Sequence, residues 1–65
     1  MKTKTILAEE LEYGDEFTIN GRVFVWLGDT YDEDTLLITE QNTRVPFALE
    51  VLEEVELYVR NKEDE

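Results

Sequence analysis

The sequence predicts an all-β fold: a small closed or half-open barrel of about five short antiparallel strands with one or two short helical turns. Three observations lead there. Asn20-Gly21 lies between two runs rich in aromatic and β-branched residues, which is a strong hairpin signal. Further runs of strand length follow at residues 35–39, 44–49 and 54–60, separated by polar turn residues. The best helix-forming patch, Ala8-Glu9-Glu10-Leu11-Glu12, is long enough for only a single turn.

The elements follow in order. Residues 2–7 alternate weakly and are rich in Thr, which suits a first strand. Leu7 and Leu11 are four apart and share the buried side of the turn after it. Tyr13-Gly14-Asp15 breaks that pattern and starts the hairpin. A two-residue type I′ turn at Asn20-Gly21 pairs Ile19 with Arg22, Phe17 with Phe24 and Asp15 with Trp26. Phe17, Ile19, Phe24 and Trp26 then share the core face, and Glu16, Thr18, Val23 and Val25 share the other. A three-residue turn would invert the second strand and expose Phe24 and Trp26, so the two-residue turn is preferred. Gly28 ends the strand, and residues 29–34 read as a polar loop. Thr35-Leu36-Leu37-Ile38-Thr39 is a strand followed by a turn at residues 40–43. Val45, Phe47 and Leu49 alternate on one face of the next strand, and Pro46 places it at an edge or a bulge. Residues 50–53 suit a tight helical turn. The alternation of Val55, Leu57 and Val59 marks the last strand. Residues 1–60 therefore form one small barrel domain, and residues 61–65 form a charged, frayed tail.

At 65 residues the chain is one domain with a thin core, for which its seven aromatic residues must supply much of the volume. Cysteine, histidine and serine are all absent. Disulfides and thiolate metal sites are excluded, and so are the usual nucleophile–base pairs. The expectation is a protein that is not an enzyme and carries no cofactor. A small secreted domain without cystines would be unusual, and residues 2–7 are too short and polar for a signal peptide, so the expected location is the cytoplasm. No stretch reaches the roughly 18 apolar residues of a membrane span.

Seventeen acids against six bases give a net charge of −11. Such a field opposes direct binding to nucleic acid or anionic lipid and favours a protein partner with a basic surface. Solubility, or adaptation to high salt, accounts for the same charge.

The run Leu11-Glu12-Tyr13-Gly14-Asp15-Glu16-Phe17, followed by Asn20-Gly21 and Phe24, resembles small SH3-like β-barrel proteins of bacteriophages and prophages. The Val45/Phe47 strand and the closing Val55-Glu56-Leu57 strand fit the same outline. The likeness covers most of the chain and implies a shape and a phage origin. It brings no catalytic residues with it.

Three features are candidates for function. Asp29, Asp32, Glu33 and Asp34 crowd one loop, but they lack the residue order of a calcium-binding loop and read as a solvated tip. Glu9, Glu10, Glu12, Asp15 and Glu16 form one acidic cluster, and Glu50, Glu53, Glu54 and Glu56 form another. On a strand, Glu54 and Glu56 point the same way about 6.6 Å apart, with Tyr58 next along the row. Fixed negative charges at such spacing imitate a DNA backbone, although a solvated face that discourages edge pairing would read identically. Val23 and Val25 face away from the core and are either an interaction surface or covered by the first strand or the 29–34 loop. Together these lead to an acidic binding protein that docks on a basic, nucleic-acid-handling protein. The alternative is a structural or self-associating subunit that uses the Val23/Val25 face.

Overall fold

The structure is a computed structural model, and it describes residues 2–59. The tail at residues 61–65, and Arg60 at the end of the expected last strand, lie outside the described residues. Seven strands form one antiparallel sheet: β1 (Thr3–Leu7), β2 (Glu16–Ile19), β3 (Arg22–Val25), β4 (Thr30–Asp32), β5 (Thr35–Glu40), β6 (Pro46–Glu50) and β7 (Glu54–Tyr58). Helical structure among the described residues is one 3-10 turn, Ala8–Glu10.

This architecture corrects the expected five-stranded SH3-like barrel. The sheet is open. Its path runs β1-β7-β2-β3-β5, and both β4 and β6 join β5. β6 takes one side of β5 over five paired positions, from Thr35↔Glu50 to Thr39↔Pro46. β3 and β4 divide the other side, at Phe24↔Glu40 and Val25↔Thr39 and at Thr30↔Leu36 and Asp32↔Thr35. Among the described residues no ladder joins β1 to β4 or β6, so the circuit that a barrel needs is never completed. The joints explain why: two paired positions tie β2 to β7, and two tie β3 to β5. Such short ladders leave the strands free to splay rather than hold a continuous stagger.

Three local expectations also change. The acidic stretch 29–34 is not all loop, since Thr30–Asp32 pairs with β5 through a bulge. The first hairpin strand pair ends at Val25, short of Gly28. Glu50 ends β6, and residues 51–53 form an ordinary turn instead of a helical one.

The central hairpin has the two-residue register, with Ile19 opposite Arg22 and Phe17 opposite Phe24. Asn20 and Gly21 adopt φ of 53° and 81°, the left-handed pair that a type I′ turn requires. This register sends Phe17 and Phe24 inward, where their rings stack with centroids 6.0 Å apart. Phe47 meets Phe24 edge-on at 5.4 Å.

One core unites Ile6, Phe17, Phe24, Leu36, Ile38, Leu49 and Val55 from the strands with Ala8 and Leu11 from the turn after β1. Ile19, Trp26 and Leu57 pack against it, half-buried. Phe17 is fully buried although, among the described residues, no helical layer covers the sheet. The sheet must therefore coil over its own inner face, as the native strand twist permits. Val45 and Phe47, on the same alternating face as the buried Leu49, remain 47% and 37% exposed because β6 lies at the sheet margin. No described helix is long and apolar enough to cross a membrane.

Candidate functional site

Strand alternation puts Thr3, Thr5, Glu54, Glu56, Tyr58, Glu16, Thr18, Val23 and Val25 on the face opposite the core. The ladders then order them. One row runs Thr5, Glu56, Thr18, Val23 across four strands. A second row carries Glu16, Val25 and Thr39. Tyr58 joins it, half-buried beside Glu16 at the lip of a groove of about 420 Å³ that Tyr13 and Leu57 also line.

The two carboxylates at the middle of this face have partners. Glu56 receives the Thr3 hydroxyl on Oε1 at 3.2 Å and the Thr5 hydroxyl on Oε2 at 2.8 Å. Glu16 accepts the side-chain amide of Gln41 at 3.1 Å, and Gln41 is itself held by its backbone N–H on the Val23 carbonyl at 2.9 Å. Both negative charges therefore stand in set orientations although they lie at the surface. Thr3, Thr5 and Gln41 were not among the residues singled out from the sequence. A Thr-x-Thr strand is the visible signal, because two hydroxyls at i and i+2 share a face and can bracket one opposing carboxylate.

The remaining sequence candidates lie elsewhere. Ala8 and Glu9 donate their N–H groups to the Glu53 and Val51 carbonyls, each at 2.8 Å. This gathers Glu9, Glu10 and Glu53 at one end of the molecule, all exposed. Asp15 is engaged locally, with its carboxylate accepting the Glu12 N–H at 2.8 Å and its carbonyl accepting the Trp26 N–H at 3.1 Å. Glu12 is exposed beside it, and Glu54 is exposed on the outer face.

Val23 and Val25 are both half-buried. Val25 lines a shallow depression of about 260 Å³ with Leu27, Thr39, Gln41 and Arg44. Leu27 is 47% exposed there. The outer face thus has an acidic, hydroxyl-rich half on β1, β7 and β2 and a mostly apolar half around β3.

A second surface went unread in the sequence. Ile19, Arg22, Phe24, Ile38, Phe47 and Leu49 line an apolar groove of about 440 Å³ on the inner side, between the hairpin tip and β6. The Arg22 guanidinium lies over the Phe47 ring, 6.0 Å from its centroid.

Glu40 ends β5 instead of opening the turn expected at residues 40–43. It is 5% exposed, and its Oε1 accepts the Thr43 hydroxyl at 2.6 Å and the Thr43 N–H at 2.8 Å. These bonds from Thr43, aided by the charge of Arg22, hold its carboxyl below the usual glutamate range against the opposing effect of burial.

Asp32 accepts the Asp34 N–H at 2.9 Å within the acidic 29–34 stretch. Among the described residues no group of three or more acidic side chains is placed to hold a metal ion. The phage affiliation implied by the SH3-like resemblance is not supported, since the sheet is open and no relative carries it. No family model, curated protein or solved structure matches this chain.

Proposed function

We propose that this chain is a non-enzymatic acidic binding protein whose outer sheet face docks on a basic surface of a nucleic-acid-handling protein and blocks it by imitating DNA. The observation that carries the reading is the clasping of Glu56 by Thr3 and Thr5, seconded by Gln41 on Glu16. A carboxylate already oriented loses less entropy on meeting an arginine or lysine than one on a free side chain. The net charge of −11 supplies the long-range attraction that steers encounter. A cysteine-free chain acting on such a partner is consistent with a cytoplasmic setting.

The test is a panel of purified nucleases and polymerases, with affinity measured from about 50 mM to 200 mM salt, where phosphate-type contacts weaken steeply. Binding to at least one member should fall sharply over that range and should be displaced by duplex DNA. The double variant Thr3→Val/Thr5→Val, which frees Glu56 but keeps its charge, should weaken binding by about threefold to tenfold. Affinity that is flat with salt, or that survives excess duplex DNA, overturns the mimicry.

The apolar half of the same face favours a second reading, an accessory subunit packed through Val23, Val25 and Leu27. Sedimentation of the isolated chain separates the two: a monomer at high concentration opposes self-association through that face.

A further inference from the structure

β6 pairs with β5 alone, and among the described residues its other side has no ladder. The Glu40 N–H bonds to the Val45 carbonyl and the Val51 N–H to the Asp34 carbonyl. Between these, alternation assigns the polar groups of Phe47 and Leu49 to β5. The Ala48 N–H and C=O, the Pro46 C=O and the Glu50 N–H are left pointing outward. Ala48 is exposed. The apolar groove between β6 and the hairpin tip runs along this same margin, so a strand laid beside Ala48 would send alternate side chains into it.

Charge is graded along the margin. Arg22 and Arg44 stand near its Pro46 end, while Glu50, Glu53, Glu9 and Glu10 gather at its far end. We infer that the β6 edge is a docking site for an extended segment of a partner protein, taken up as an antiparallel strand. That segment carries basic residues at its N-terminal end, opposite Glu50 and Glu53, and two apolar side chains at alternate positions that enter the Ile19/Phe24/Phe47/Leu49 groove. Antiparallel pairing continues the sense of every other ladder in the sheet. The surface is separate from the outer acidic face, so either reading can fail without the other.

The probe is the blocked hexapeptide Lys-Lys-Val-Thr-Ile-Thr, titrated into the isotope-labelled full chain and followed by amide NMR and hydrogen exchange. The expected result is slowed exchange at Ala48 and Glu50, with shifts at Ile19, Phe47 and Leu49. The peptide N-methylated at the Thr opposite Ala48 keeps its charge but loses the edge-facing donor, and it should bind at least about fivefold more weakly. The reversed sequence, which turns its lysines toward Arg22 and Arg44, should also bind more weakly. Ala48→Pro removes the outward N–H without touching a β5 bond, and it should abolish the response while the remaining amide spectrum stays dispersed.

Four outcomes overturn the proposal: no perturbation at millimolar peptide, equal binding of the N-methylated or reversed peptide, shifts confined to Glu16, Glu54 and Glu56, or concentration-dependent protection of Ala48 without peptide. The last would make a second copy of the chain the occupant.

Discussion

Glu40 is the one charged side chain that the fold buries among the described residues. It lies opposite Phe24, and its main chain also closes the β5–β6 connection, bonding the Val45 carbonyl through its N–H at 3.1 Å and the Arg44 N–H through its carbonyl at 2.8 Å. Its ionised carboxylate is the form that Thr43 hydrogen-bonds, so its folded pKa is lowered. A lowered pKa contributes stability in full above the ordinary value of 4.5 and loses it as pH falls through the folded value. Thermal melts between pH 7 and pH 3 should therefore show the native chain losing stability on acidification more steeply than Glu40→Gln. Equal slopes would mean that the Thr43 bonds do not favour the ionised form. Only the spacing hinted at this residue in the sequence, with Thr43 three positions after an acid that ends an alternating strand.

The hairpin was legible because its information is local. Two positive-φ residues set the turn, and the turn sets which face every neighbouring side chain takes. A Cβ on Gly21 would meet nothing within 4 Å, so its substitution isolates the backbone cost. Gly21→Ala should destabilise the fold by about 1–2 kcal/mol, lowering the melting temperature by roughly 5–15 °C, while Asn20→Gly should change it little. Calorimetry of the two variants decides whether the turn or the flanking strands hold the register. β4 was illegible for the converse reason. Thr30, Tyr31 and Asp32 are all exposed, so no alternation marks them, and their strand character comes from the β5 edge left free beside β3. Pro46 correctly marked a margin, but the shared face of Val45, Phe47 and Leu49 translated into burial only at Leu49, since little lies across from a strand with one neighbour.

For the whole molecule, closure was the feature that the residues could not convey. Every strand segment except β4 could be recognised, yet whether a sheet joins its ends depends on cumulative stagger, which no short window records. The outer-face candidates show the same division: Glu54, Glu56 and Tyr58 followed from alternation, whereas the clasp on Glu56 required knowing that β1 is its neighbour. Charge, by contrast, is a sum over the sequence. Self-repulsion from −11 should weaken the compact state at low ionic strength, so stability should rise as salt goes from about 10 mM to 1 M and the screening length contracts from about 30 Å to 3 Å. Chemical denaturation with urea, which adds no ions, measures it; a flat or falling trend would mean that the acids are already compensated in pairs.

The pairing of β1 with β7, Thr3 beside Tyr58 and Leu7 beside Glu54, has a kinetic corollary. β1 pairs with β7 alone, so it has no ladder until the segment furthest from it in the described chain arrives, and β7 is also the strand that anchors β2. Zippering outward from the Asn20-Gly21 turn can assemble the middle, but Ile6 reaches its place beside Val55 only after a nearly chain-length loop has closed. Assembly is therefore governed by one late, entropically demanding encounter, and a nascent chain short of Glu54 has nothing onto which its first strand can dock.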